Sequence, residues 1–140
     1  GGYTLTIPED TNYQRADYLK KKIMVMLGGR AAEEIIFGKE KITTGASSDL
    51  TNATNIAMGM ISEYGMGETL GLLKLSSLGS MASGYSTKVI EECKDLINSL
   101  YDDTLKLLNN NKELLEQFSL ELLEKETLRK EEIDIWKKLC

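Results

Sequence analysis

Apolar residues recur every three to four positions along most of the chain, which is the repeat of an amphipathic α-helix. The pattern predicts a first helix from Arg15 to about Phe37, with Gly38 as its stop. The apolar face of this helix consists of Ala16, Leu19, Ile23, Met26 and Leu27. Gly28 and Gly29 lie inside it, and each disfavours a helix by about 1 kcal/mol. They therefore predict a kink or a close contact of the backbone at this point.

Further helices follow with the same repeat. A second is predicted to begin near residues 47–48, where either serine is a good N-cap, and to end at Gly65. A third covers 87–109, and a turn of three asparagines separates it from a fourth that passes through 114–123. Because this connection is short, we expect the third and fourth helices to pack antiparallel. A last helix is predicted at 130–139.

Two segments depart from the helical repeat. Residues 3–7 alternate and contain threonine, tyrosine and isoleucine, which predicts one short strand. A lone strand is not a stable sheet, so this one must pair with a segment upstream or with a ligand. Residues 65–86 are rich in glycine and serine and predict a long flexible loop. The predicted fold class is therefore mainly α, a helical bundle with one short N-terminal edge strand.

Charge and composition narrow the possible functions. Seventeen basic and 22 acidic residues give a net charge of −5, a poor match to nucleic acid or to anionic lipid. No apolar run is long enough to span a bilayer, so any membrane link would come from sequence outside this chain. Cys93 and Cys140 form neither a metal-like spacing nor a disulfide framework, which favours reduced thiols. The chain has no histidine and so lacks the imidazole groups that most often bind metals.

A charged cluster lies near the end of the first helix. Arg30 falls in the middle of the apolar stripe, and Glu33 and Glu34 flank it one turn later. A charge buried there is unfavourable unless it is paired and hydrogen-bonded. One interpretation is an internal pair of Arg30 with Glu33 or Glu34 that stabilises the helix. Another is that one glutamate orients a metal-bound histidine from a different segment, and both can hold at once.

Asp49 is expected in the first turn of the second helix, directly after the loop sequence TTGASS. An aspartate at that position can simply interact with the helix dipole, which contributes about 0.3–1 kcal/mol. A carboxylate is also a competent zinc ligand, usually in a site begun by two histidines. The small residues of the loop would let a ligand or another backbone approach closely. The spacing leaves both interpretations open.

The blocks around these residues resemble the peptidase domain of the FtsH family, the membrane-anchored ATP-dependent zinc metalloproteases. The matching blocks span nearly the whole chain in the family's order, and they are GYTLTIPE at 2–9, LGGRAAEEIIFG at 27–38, TTGASSDLTNAT at 43–54, EYGMGETLG at 63–71 and LLEKETLRKEEI at 122–133. The segment between Gly71 and Ser86 departs from the family, because it is shorter and richer in glycine.

The resemblance assigns roles to individual residues. It implies that Asp49 is the third zinc ligand, after two histidines of a His-Glu-x-x-His helix that lies upstream of this chain and also carries the general base. Glu33, with Arg30 beside it, would lie next to the zinc and support a ligand histidine. An extended substrate would pair by β-augmentation with the strand formed by Tyr3, Thr4, Leu5 and Thr6. No catalytic residue is expected within the chain.

The resemblance also implies a larger protein. Residues 1–140 would be a peptidase-domain fragment without its His-Glu-x-x-His helix, with an active-site half at 1–64, a flexible loop at 65–86 and C-terminal helices at 87–140. The full-length protein would bind zinc, use ATP and Mg²⁺ in an ATPase domain, and assemble as a homo-hexamer. It would be anchored in a membrane, with this domain on the cytoplasmic side or the organelle equivalent, and would degrade unfolded or membrane proteins.

The chain alone is expected to bind no cofactor and to be inactive, because one aspartate cannot supply the three protein ligands of a catalytic zinc site. The alternative is a non-catalytic helical assembly module from an inactive relative. A His-Glu-x-x-His motif upstream in the parent protein would distinguish the protease from the module.

Overall fold

The computed structural model describes residues 13–120 and 124, and this part of the chain contains α-helices, short 3₁₀-helices and no β-strand. Its α-helices are α1 (Ala16–Phe37), α2 (Ser47–Ser62), α3 (Ser86–Asn109) and α4 (112–120). The mainly α fold class is thereby confirmed. The predicted strand at 3–7 and the predicted helix at 130–139 lie outside the described residues. Within those residues, no helix combines the length and the apolar content that crossing a bilayer requires.

The main core lies where α1, α2 and α3 pack on one another. Leu19, Ile23 and Leu27 are each at most 4% exposed, so the apolar face predicted for the first helix is the buried one. α2 and α3 bury matching stripes against it, formed by Ala53, Ala57, Met60, Ile61, Val89, Cys93 and Leu100. Burial of such side chains contributes about 1.5–3 kcal/mol each for the larger ones, which makes this three-helix contact the main source of stability.

A second apolar cluster joins α4 to α1 and to the end of α3. Asn111 accepts a hydrogen bond from the backbone amide of Leu114 at 3.2 Å and so caps the start of α4. The turn places Leu114 and Phe118 in one cluster with Leu108 of α3, as expected for a short helical hairpin. Ala31 and Ala32 of α1 complete this cluster.

Gly28 makes room for the Phe118 ring on the side of α1. A Cβ atom at position 28 would overlap the ring, whereas a Cβ at Gly29 would meet nothing within 4 Å. The predicted close contact is therefore confirmed at Gly28 and not at Gly29. Only glycine allows α4 to dock this closely on α1.

The connection from α2 to α3 contains two 3₁₀-helices, Leu75–Ser77 and Gly79–Gly84, where the sequence predicted only a loop. Leu70 is buried in the main core and ties the start of the connection to α1–α3, while Leu72 is 95% exposed. Gly71 has a positive φ of 56° between these two leucines, so the chain reverses there and turns the second leucine away from the core. The predicted flexibility of the segment stays a prediction.

Candidate functional site

Glu33 is the most deeply buried charged side chain of the described residues, at 1% exposed. Its two carboxylate oxygens accept hydrogen bonds from one residue of the following loop. Thr43 donates its hydroxyl to Oε1 at 2.7 Å and its backbone N–H to Oε2 at 3.2 Å. Since an unpaired buried carboxylate is strongly unfavourable, these two bonds are what makes its burial possible, and they fasten the loop to α1.

Thr43 also begins the structure that leads into α2. Its Oγ1 accepts a hydrogen bond from the Gly45 amide at 3.2 Å, which makes it the N-cap of the 3₁₀-helix Thr44–Ala46. That 3₁₀-helix runs into α2 without a break, because Ser47 has helical dihedral angles and its N–H bonds to the carbonyl of Thr44. The helical segment is therefore capped by the side chain of Thr43, four residues before α2 itself begins.

The prediction that Ser47 or Ser48 is the N-cap of α2 is wrong. α2 does begin at Ser47, but the residue before it is Ala46, and no side chain caps the helix. A serine cap is unnecessary because the preceding 3₁₀ turn already supplies a carbonyl partner for the first amide of α2.

Asp49 lies in the first turn of α2 and is half-buried. Within the described part of the chain its carboxylate makes no hydrogen bond or ion pair. Both of its oxygens therefore keep all of their lone pairs. This carboxylate differs from that of Glu33, each of whose oxygens already accepts a hydrogen bond from Thr43.

A groove of about 590 Å³ opens between α1, α3 and the start of α2. Arg30 and Glu34 line it from α1, and Leu50 lines it from the residue after Asp49. Neither glutamate forms the ion pair with Arg30 that the sequence suggested, since the only ion pair among the described residues joins Arg15 and Asp17 at the surface. Glu33 points towards the loop, where it binds Thr43, whereas Arg30 lines the groove. Glu34 lines the same groove as Arg30, but the two charged groups do not come within ion-pair distance.

Tyr101 of α3 contributes its phenol to this groove. Its Oη is buried and has no partner of standard hydrogen-bond geometry in the described residues. Burial raises the pKa of Tyr101, the negative charge of Glu34 raises it further, and the nearby Arg30 guanidinium acts in the opposite direction. The phenol is therefore neutral at physiological pH.

The predicted site residues within the described range lie on either side of one hydrogen-bonded loop. Glu33 and Asp49 lie at the two ends of one hydrogen-bonded loop, whereas Arg30 faces the groove beside it. No group of three or more acidic or cysteine side chains gathers within the described range in a way that could hold a metal by itself. The predicted substrate residues Tyr3, Thr4, Leu5 and Thr6 lie outside the described residues.

Thr43 is the residue that sequence reasoning missed. A glutamate expected to be buried needs donors, and the next segment rich in hydroxyl groups is the one at 43–48, which begins ten residues later. The need of a buried carboxylate for hydrogen-bond donors therefore points to this segment, but the spacing alone does not select one hydroxyl among several.

Comparison with known proteins gives a consistent result. The sequence pattern of peptidase family M41 matches residues 1–135. The chain is 42% identical over 134 residues to the ATP-dependent zinc metalloprotease FtsH of Lachnoclostridium phytofermentans, a match that covers 96% of this chain and 23% of that protein. The ATP-dependent zinc metalloprotease FtsH 1 of Alkaliphilus metalliredigens is 37% identical with the same coverage.

A eukaryotic relative matches the same part of the chain. The ATP-dependent zinc metalloprotease YME1 homolog of Schizosaccharomyces pombe is 34% identical over 136 residues, which is 95% of this chain and 19% of that protein. The chain spans less than a quarter of the length of these curated relatives.

Proposed function

The chain belongs to the FtsH-type zinc metalloproteases of peptidase family M41, and from that premise we propose that it forms part of an ATP-dependent zinc metalloendopeptidase, to which it contributes the third zinc ligand, Asp49. The observation that carries the assignment is the free carboxylate in the first turn of α2, beside a loop that is fixed at its other end by a buried glutamate. A free anionic oxygen on a fixed backbone is what a metal site requires of a protein ligand.

The oxygen donor that this chain supplies fits zinc as one of the several ligands of the metal. Catalytic zinc takes three protein ligands from nitrogen, sulfur or oxygen donors and leaves one position open. Asp49 supplies an oxygen donor, and two histidines would come from a His-Glu-x-x-His helix outside this chain. Bound zinc in such sites supplies Lewis-acid chemistry, polarising a carbonyl and acidifying a water molecule.

Glu33 and Arg30 would then act beside the metal rather than on it. With two hydrogen bonds from Thr43, the Glu33 carboxylate retains lone pairs that could accept the N–H of a ligand histidine. Arg30 would balance the negative charge of Glu34 at the edge of the groove. The proposed roles of Glu33 and Arg30 are thus to orient ligands and to set the local potential.

The remaining parts of the proposal concern the whole protein. Substrate polypeptide would pair with the segment Tyr3 to Thr6 by adding a strand, a mode whose affinity comes from main-chain hydrogen bonds and which suits a protease of unfolded or membrane proteins. ATP and Mg²⁺ would act in a separate ATPase domain that drives a membrane-anchored homo-hexamer. The names of the relatives, which specify ATP dependence and zinc, support this part.

The ligand assignment is tested in the full-length protein with Asp49→Asn. The variant keeps the shape of the side chain but loses the anionic oxygen, so zinc affinity and casein cleavage should fall strongly while ATP hydrolysis continues. Asp103→Asn, an exposed position on α3, is the matched control and should behave as the parent protein. Full cleavage by the Asp49→Asn protein would reject the assignment, and a parent protein that neither binds zinc nor cleaves casein would favour the assembly module instead.

A further inference from the structure

We propose that Thr43 is the positioning residue that sets the location of Asp49, by linking the buried Glu33 carboxylate to the first turn of α2. The inference rests on the proposed function, since it concerns the ligand that Asp49 would provide.

The first step is that the Thr43 hydroxyl is held in a fixed orientation. A hydroxyl has one hydrogen to donate, and Thr43 gives it to Glu33 Oε1 at 2.7 Å. Its oxygen then accepts the Gly45 amide at 3.2 Å. The backbone N–H of Thr43 adds a third bond, to Glu33 Oε2 at 3.2 Å. The two bonds to Glu33 fix the residue relative to α1, because their acceptor is a buried side chain of that helix, and the bond from Gly45 connects the residue to the turn that follows.

The second step is that the backbone between Thr43 and Asp49 is helical throughout. Thr44–Ala46 forms a 3₁₀-helix, Ala46 is 6% exposed, and α2 continues directly from Ser47. The one glycine between the cap and the carboxylate, Gly45, lies within this 3₁₀-helix, and its amide is bound by Thr43 Oγ1. A shift of Thr43 moves Asp49 with it, and metal sites tolerate deviations of only about 0.2 Å in ligand distance.

The rest of α2 is held independently of Thr43. α2 is anchored in the core by Ala53, Ala57 and Met60, which follow Asp49 in the helix and pack on α1 and α3. Losing the Thr43 hydroxyl leaves that anchor intact, but it also leaves Glu33 Oε1 without its donor, so the metal-free fold loses stability as well. We therefore expect the zinc affinity to fall even at a temperature where the variant is fully folded.

The experiment compares Thr43→Val with Thr43→Ser in the full-length protein. Valine keeps the β-branched shape and the backbone N–H bond to Glu33, but it removes the hydroxyl from both of its hydrogen bonds. Serine keeps the hydroxyl and is the matched control. Zinc affinity is measured by competition with a chelator, and thermal unfolding of the metal-free protein is measured in parallel.

The expected result is a zinc affinity lowered by about 10–100-fold in Thr43→Val, the range typical of groups that orient a metal ligand. Thr43→Ser should retain the parent affinity, and the Gly45 amide should exchange faster only in the valine variant. If the valine methyl against the carboxylate prevents folding, Thr43→Ala removes the same hydroxyl without that contact and carries the same expectation.

The inference is overturned if the variants that lack the hydroxyl bind zinc as the parent does while Asp49→Asn does not. Equal losses in the serine and valine variants would also overturn it, because they would mean that the methyl group matters rather than the hydroxyl. If Asp49→Asn binds zinc normally, the ligand assignment fails first, and the positioning role fails with it.

Discussion

The two loops that flank α2 are each held by one glutamate from another helix, yet the two glutamates lie in different surroundings. We call residues 38–46 the upstream loop and residues 63–85 the downstream loop. Glu33 of α1 holds the upstream loop through the hydroxyl and amide of Thr43. Glu92 of α3 holds the downstream loop through the amides of Glu68 and Thr69, at 2.7 and 2.8 Å.

The difference between these two contacts is burial. The Glu33 side chain is 1% exposed, whereas Glu92 lies partly in solvent. A hydrogen bond broken at the surface is replaced by one to water, but a buried donor or acceptor left without a partner loses the full desolvation free energy. We therefore expect the Glu33 contact to hold the upstream loop, next to the candidate metal ligand, more firmly than the Glu92 contact holds residues 68–69 of the downstream loop.

The largest expected effect follows from removing each carboxylate in turn. Glu33→Ala leaves the Thr43 donors without partners and creates a cavity, so the free energy of unfolding should fall by about 3 kcal/mol. Glu92→Ala should lower it by about 1 kcal/mol, since water replaces the lost acceptor. Urea unfolding followed by circular dichroism measures both values. Equal losses in the two variants would mean that burial is not what separates the loops.

A smaller effect is expected from replacing two glycines, Gly28 inside α1 and Gly67 in the downstream loop. Gly28→Ala forces a methyl group against the Phe118 ring and should destabilise the fold by about 2 kcal/mol, despite the roughly 1 kcal/mol gained in helix propensity. Gly67→Ala places a Cβ 2.7 Å from Glu92 Oε2, the end of a flexible side chain that can move, so its cost should be below 1 kcal/mol. Thermal unfolding compares them.

Phe118→Leu is the control for the first glycine. Combined with Gly28→Ala it should recover part of the lost stability, because the smaller side chain relieves the overlap. A double variant whose losses simply add would contradict the contact between Gly28 and the ring.

The smallest expected effect is a pH dependence confined to the downstream loop. Partial burial alone would raise the pKa of Glu92, but the hydrogen bonds from the Glu68 and Thr69 amides bring it below its ordinary value of 4.5. A carboxyl group with a lowered folded pKa stabilises the fold fully above its unfolded pKa. That contribution is lost as the pH falls through the folded value.

Amide exchange at Glu68 and Thr69 measures this dependence. The protection of both amides, corrected for intrinsic exchange, should be constant above pH 4.5 and should decline below it. Glu92→Gln should abolish the decline, and Glu91→Gln, an exposed neighbour on α3, should leave it unchanged. A decline that persists in the Glu92→Gln variant would assign the pH dependence to another group.

Much of the fold could be predicted from the sequence because helix periodicity is a local property. The first helix was expected at 15–37 and is found at Ala16–Phe37, and the third was expected at 87–109 and is found at Ser86–Asn109. The position of Asp49 in the first turn of α2 followed from the same local pattern. Gly28 could be singled out because glycine is unfavourable inside a helix and needs a reason there.

The partners of the glutamates could not be predicted in the same way. Glu33 was expected to pair with Arg30 on its own helix or to support a histidine, whereas its bonds go to a loop residue whose approach depends on how the chain turns after Gly38. Glu92 has the sequence context of an ordinary exposed helix residue, and nothing local indicates the two amides that it binds 23 and 24 positions earlier. Such contacts are set by packing in three dimensions.

The contact between Gly28 and Phe118 also has a consequence for the order in which the molecule assembles. It joins residues about 90 positions apart, so closing it costs more chain entropy than packing the neighbouring helices α1 and α2. During synthesis from the N-terminus, α1, α2 and α3 leave the ribosome before Phe118 does. We therefore expect the upstream loop and the three-helix core to form first, and α4 to dock onto α1 only after the rest of the core has been made.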